Sequence, residues 1–408
     1  MLRAALADRA GRRFFAAHAQ SCLGTGLAYV ALPLLAYDRF GTAWAVAAVL
    51  APDLLPAVVL GPLLGALVDR VGWQACAALA DLVRCVAFVG LLSAHSLPLM
   101  IAAACLAGVG TAMFAPSALA GLSRLSPALR RPAAMGLFGA LDDLGLTVGP
   151  ALAGLLLAVT APAALMGVNA ATFAISALLL LTLRPAREGG TPAARPRRSL
   201  LSEARAGIRA LAGRADIRTL LGSSTATVFC VGVTNVGEVV LARSVFGVGG
   251  SGLAALMTAG GVGTVLGSLA ARFEQPWQWR RAYLVGLTCM GGELLGCGLL
   301  PSFWLVLPMF AVGGFGNGLA LVHDRLLLSH AAEESLHGRL FALQKTCTSL
   351  AFAGSFALAG LVIGLGGVRV AFLCSCLGLL TVMAVAIPRL RAAWPTPPAA
   401  ARVPAPTA

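Results

Sequence analysis

Gly65-Ala66-Leu67-Val68-Asp69-Arg70-Val71-Gly72 interrupts two long apolar runs, roughly 43–66 and 74–93. About 20 apolar residues suffice for a helix to cross the hydrocarbon core of a bilayer. The octapeptide therefore reads as a charged turn between two membrane-crossing helices. Gly72 permits a tight turn, and Asp69 offers a carboxylate at the membrane edge. The same alternation recurs along the whole chain. Further spans are expected near 14–36, 98–121, 132–158, 162–183, 218–241, 251–271, 281–300, 302–326, 339–364 and 368–388. Of the 30 Lys and Arg, all but Arg39, Arg243 and Arg369 fall in or beside every second gap, or in the tails. Short cytoplasmic loops carry such an excess. Twelve spans with both termini in the cytoplasm follow.

Composition supports that reading. The chain is 59% hydrophobic and 11% charged, where a water-soluble domain carries about 25% charged residues. The formal charge of +14 comes almost wholly from arginine, Lys345 being the one lysine. It is divided among loops, which suits an anionic inner leaflet and not a basic nucleic-acid-binding face. The run after Arg9, Arg12 and Arg13 is too long for the core of a cleaved signal, so it is a first span. Most of the 10 cysteines lie in apolar segments and no CxxC pair occurs. They read as small packing residues, with no metal centre or cofactor expected.

The stretch Arg184–Arg218 opens with linker composition. From Ser199 to Arg214 it turns periodic, with Leu200, Leu201, Ala204, Ile208 and Leu211 able to share one face of a surface helix. This linker divides the spans six and six. The halves echo one another: Phe40-Gly41 is matched by Phe246-Gly247, and Arg131 before span five by Arg339 before span eleven. The expected organisation is an all-α integral membrane protein of two pseudo-symmetric six-helix lobes. The N-terminal lobe is 1–183, the cytoplasmic Arg-rich linker 184–217, the C-terminal lobe 218–390, and the Pro/Ala-rich tail 391–408 is disordered.

Five segments carry a resemblance. Gly65–Gly72 resembles the loop between spans two and three of the major facilitator superfamily, although Trp73 and Gln74 stand where that family prefers basic residues. Gly145-x-x-x-Gly149-Pro150-x-x-Ala153-Gly154 resembles the motif of its antiporters, with Ala153 in place of a glycine. Asp81-x-x-Arg84 is similar to a pair in its drug and siderophore exporters, as are Phe114-Ala115-Pro116-Ser117 and His337-Gly338-Arg339. The resemblance implies a twelve-span fold, efflux in exchange for protons, and a gate latch at Asp69 and Arg70. It also implies a cavity between spans one, four, seven and ten, with spans three, six, nine and twelve outside it. The residues have plain physical uses as well. Gly65 permits close helix contact. Gly145 and Gly149 form a packing strip, Pro150 should kink its helix, and Asp81 and Arg84 should pair near the membrane edge.

Intramembrane charges are costly and mark function by default. Asp53 and Glu238 come first as proton carriers, then Asp142 or Asp143, which point about 100° apart on a helix. Glu293 ranks lower because the resemblance places span nine outside the cavity. For each carboxyl a structural ion pair is the competing role. Candidate cavity residues are Gln20, Thr25, Tyr29, Phe114, Asn235 and Asn317. So thin a polar lining suits a hydrophobic or amphiphilic solute better than a sugar. Arg39 and Arg243, at matching ends of spans one and seven, are candidates for the outer mouth. The expected protein is a monomeric bacterial inner-membrane exporter whose partners are a small molecule, protons and lipid. An importer of a small metabolite is the alternative. An enzyme is disfavoured, because no catalytic or metal-ligand set gathers along the sequence.

Overall fold

The computed structural model describes residues 9–125, 131–183, 213–271, 275–333 and 336–394. The surface helix expected within 199–214, apart from its last two residues, and the tail beyond 394 lie outside them. Twelve helical spans are long and apolar enough to cross a membrane. They are Arg9–Phe40, Ala43–Val71, Trp73–Ser93, Leu97–Leu125, Arg131–Leu157, Pro162–Leu181, Ala215–Val245, Gly249–Leu269, Pro276–Leu299, Phe303–Ala331, His337–Gly366 and Val368–Ala393. Most outgrow the apolar segments that announced them at the ends nearest Arg9 and Trp394, called here the terminal face. Charged residues such as Arg70, Arg124 and Arg391 occupy those final turns, where helix can continue beyond hydrocarbon.

Connections are short. Gly72 alone joins spans two and three at φ +100°, and Gly367 alone joins eleven and twelve at φ +84°. A side chain at either would strain the turn. Pro150 sits inside span five, which runs as one helix from Arg131 to Leu157.

Span seven differs most from expectation. Helix Ala215–Val231 stops at Gly232, resumes over Val233–Val240, and ends in a π-helical turn, Leu241–Val245. Such interruptions recur at functional sites.

The two lobes repeat one another with an offset of 206 residues. Tyr29 of span one donates a hydrogen bond to Asn235 of span seven, 206 residues later. Tyr37 bonds Ser244, 207 residues on, and Asp38 pairs with Arg243, 205 residues on. The first contact joins a residue to its own equivalent, and the other two exchange neighbours. A pseudo-twofold axis between spans one and seven does this.

Packing obeys the same offset. A methyl group on Gly26 would collide with Gly149, and one on Gly232 with Ser355. One on Gly110 would meet Ala80 and Arg84, and one on Gly316 would meet Gly286 and Met290. Between lobes, span five packs on eight and span two on eleven. Gly154 abuts Ala254, and Gly360 abuts Ala47.

These inter-lobe contacts hold the half of the molecule away from the terminal face. Toward the terminal face, methyl groups on Gly61, Gly65, Gly136 or Gly139 would meet nothing within 4 Å among the described residues. Along span five, Gly145 and Gly149 meet span one of the same lobe, and Gly154 meets Ala254 of the other lobe. Among the described residues, the inter-lobe contacts named above lie on the side away from the terminal face. Gly65, expected to serve close helix packing, makes none in this state.

Candidate functional site

The N-terminal lobe gathers its charges into one buried network. Asp81 and Arg84 pair with one another, as their spacing implies. They are not at the membrane edge, however, being only 0% and 7% exposed and three helical turns inside span three at Arg84. Gly110 explains the burial, because its missing side chain leaves room for the Arg84 stem. The guanidinium lies 4.3 Å from the ring centres of both Phe114 and Phe173. These aromatic faces stabilise a desolvated cation. Phe114, expected as a stacking surface of the cavity, instead holds Arg84 and His18.

Asp53 is half-buried in span two, within electrostatic reach of Arg84. It forms no hydrogen bond or ion pair among the described residues.

Asp142 meets span one. Its Oδ1 is 3.3 Å from His18 Nε2 and accepts from Cys22 Sγ at 3.2 Å. His18 stacks on Phe138, ring centres 3.9 Å apart. The glycine strip produces this meeting: Gly145 lies on the Cys22 carbonyl and Gly149 on Gly26. The set His18, Cys22 and Asp142 contradicts the expectation that no metal-ligand group gathers. Two members share a helix at i,i+4, but the third is 120 residues away, which sequence spacing could not reveal. The Asp143 side chain lies outside the described residues.

The C-terminal lobe treats its carboxyls differently. Glu238 and Glu293 are only 4% and 7% exposed and within electrostatic reach of one another. No hydrogen bond or ion pair to either carboxyl is found among the described residues. Glu293 turns inward against Gly313 of span ten, so span nine does present a charge to the lobe core. Arg243, one turn beyond Glu238, reaches Asp38 at 2.5 Å instead. Nearer the terminal face, Asp324 accepts from Gln344 at 2.5 Å, and Tyr283 bonds Ser223 at 2.9 Å. These four, like Asp38, were missed. Asp38 had a signal, since it immediately precedes Arg39 in the echo of Arg243.

Other candidates divide clearly. Thr25, Tyr29 and Asn317 are exposed, and Asn235 is half-buried beside Tyr29. Gln20 turns away, donating to the Thr172 carbonyl of span six at 2.8 Å. Arg39 caps span three through the carbonyls of Leu91, Leu92 and Ala94, each at 2.7 Å, and takes no part in the outer mouth. Asp69 and Arg70 are exposed and make no hydrogen bond or ion pair among the described residues. Both lie at the terminal end of span two.

Comparisons with known proteins agree with this architecture. A sequence profile of the Major Facilitator Superfamily matches residues 14–355. The multidrug efflux pump Tap of Mycolicibacterium fortuitum is 28% identical over 389 residues, covering 90% of this chain and 93% of that protein. The uncharacterized MFS-type transporter YfiS of Bacillus subtilis (strain 168) is 24% identical over 342 residues, covering 81% and 82%. Among solved structures, a bacterial homologue of the human lysosomal transporter Spinster, inward-facing and occupied, superposes with TM-score 0.76 at 13% identity, covering 93% and 96%. The nucleoside transporter NupG superposes with TM-score 0.75 at 10% identity, covering 94% and 100%. At these identities the structures establish the fold alone. The chain belongs to the Major Facilitator Superfamily, as a multi-pass transporter of the inner membrane and not an enzyme.

Proposed function

We propose that this transporter exports a small hydrophobic or amphiphilic molecule in exchange for protons. The observation that carries the reading is the Glu238 and Glu293 pair, buried in the C-terminal lobe with no cation to answer it among the described residues. A bare carboxylate inside the bilayer costs a few kcal/mol on insertion scales, and proton binding removes that cost. Glu238 lies one residue short of a helical turn from Asn235, on the interrupted span that touches Tyr29 across the lobes. A proton arriving there changes the charge beside the inter-lobe contact, which gives it leverage over opening. The export direction draws support from the multidrug efflux relative and from the span-five glycine motif.

With the arginine-rich terminal face in the cytoplasm, the inter-lobe contacts lie outward and the lobes open inward. Asp38–Arg243 and Tyr37–Ser244 close the outer mouth. Loading from the cytoplasm, parting of this outer latch and engagement of Asp69 on the inner side complete an alternating-access cycle. The thin polar content of spans one, four, seven and ten suits an oily solute, for which few hydrogen bonds are needed.

The test is flux in vesicles of purified protein under imposed pH gradients, with a panel of lipophilic cations and macrolides first ranked by thermal stabilisation. Efflux-type exchange gives substrate movement opposite to proton movement, reversing when the gradient is reversed. Movement in the same direction as protons would make the protein an importer. Movement indifferent to the gradient would remove proton coupling.

A further inference from the structure

The His18, Cys22 and Asp142 cluster is a set of metal-ligating atoms that proton coupling does not require. Its three donor atoms form a compact triangle. His18 Nε2 to Asp142 Oδ1 is 3.3 Å, Cys22 Sγ to Asp142 Oδ1 is 3.2 Å, and Cys22 Sγ to His18 Nε2 is 3.5 Å. Zinc bonds of about 2.0–2.3 Å in tetrahedral geometry place neighbouring ligands about 3.3–3.6 Å apart. The triangle therefore matches one face of a zinc tetrahedron with little adjustment. All three atoms lie within 4.8 Å of one another, and the triad is the one such group of His, Cys and acidic side chains found among the described residues.

Three further observations favour a bound ion. His18 is buried and its ring is fixed against Phe138, so the imidazole is already oriented. A divalent ion bound by one thiolate, one carboxylate and one neutral imidazole has no net charge, which suits a low-dielectric interior. The neighbouring Arg84 is already paired with Asp81. Finally, the scaffold does not demand these residues. At the 206-residue offset the other lobe carries Ser224, Val228 and Thr348 in their places, although Gly232, the equivalent of Gly26, still packs against span eleven at Ser355.

The geometry points to a three-ligand binding site for one borderline divalent cation, with Zn2+ as the best fit, held between spans one and five. Mixed nitrogen and sulfur ligation selects such ions over Mg2+ and Ca2+. Asp142 retains about half of its side-chain exposure, so the fourth coordination position is the open one, as in zinc sites that accept a water or a further ligand. The site stands apart from the direction and coupling of transport.

The test uses the purified, tag-free full chain and Co2+, whose colour reports thiolate ligation and tetrahedral geometry. One Co2+ per chain with a thiolate charge-transfer band, displaced by equimolar Zn2+, is expected. Cys22→Ser should abolish the band. Asp142→Asn should weaken binding by about tenfold or more, in the range typical of lost metal-site groups. Cys230→Ser, in the other lobe, should change neither. Absence of the band in the wild type, or its survival in Cys22→Ser, overturns the proposal. If Cys22→Ser does not fold, the wild type still decides the matter by thiol alkylation followed by peptide mapping. Zn2+ should slow modification of Cys22 and leave Cys105 unaffected; equal rates at Cys22 with and without Zn2+ overturn it.

Discussion

The two lobes are alike in packing and unlike in charge. Gly110 receives Ala80 and Arg84 in the first lobe, and Gly316 receives Gly286 and Met290 in the second. Shifted by 206 residues, Asp81 and Arg84 become Leu287 and Met290, while Glu238 and Glu293 correspond to Leu32 and Ala87. The repeated contacts are therefore the scaffold, and the charges are additions to it. In the first lobe Asp53 and Asp81 stand near Arg84, and Asp142 near His18. In the second, Glu238 and Glu293 have no such cation or imidazole among the described residues. The first lobe pairs its buried charges, and under the proposed coupling the second lets its own charge change.

The largest effect should follow from breaking the first lobe's neutrality. Arg84→Met copies the other lobe but strands Asp81 in the interior, at a cost of about 3–5 kcal/mol. Thermal unfolding in detergent should show a large loss of stability. Copying both residues, as Asp81→Leu with Arg84→Met, should recover most of it, because a buried ion pair replaced by apolar side chains is often neutral or better. A double variant as unstable as the single one would mean that the pair does more than neutralise itself.

A smaller loss tests the shared packing. Gly26→Val and Gly232→Val push side chains into Gly149 and Ser355 respectively. Overpacking of this kind costs about 1–3 kcal/mol. Both should lose stability if the lobes share one scaffold. Gly26→Val should be the worse, since it meets backbone whereas Gly232→Val meets a side chain that can turn.

The smallest effect belongs to the outer latch. Asp38 and Arg243 are both partly exposed, so their pair is worth about 0.2–1 kcal/mol. Asp38→Asn should leave stability nearly unchanged and shift the conformational population a few-fold toward parting of spans one and seven at this pair. Distances between spin labels on the outer ends of spans one and seven would measure that shift. A population identical to wild type would remove the pair from gating.

Much of this was legible from sequence. Apolar run length gave twelve spans to within a few residues, because helix rise and bilayer thickness fix it. Phe40-Gly41 and Phe246-Gly247 gave the repeat, and both glycines adopt the same positive φ, 66° and 64°. Depth and partner choice were less legible. Arg84 looked like a membrane-edge residue because arginine usually is; only the gap at Gly110 and two phenylalanine faces make its burial tolerable. Glu293 looked peripheral because helix number says nothing about rotation about the axis. Asp142 could not be joined to His18 and Cys22 because a glycine seam between distant helices sets that contact.

Proton coupling through Glu238 is tested most directly by Glu238→Gln, which keeps the side chain's shape and removes its titration. Two fluxes should be compared in the same vesicles: accumulation driven by a pH gradient, and substrate-for-substrate exchange without one. The expected result is exchange near the wild-type rate with gradient-driven accumulation abolished. Full gradient-driven accumulation in Glu238→Gln would contradict the assignment of the proton to this carboxyl.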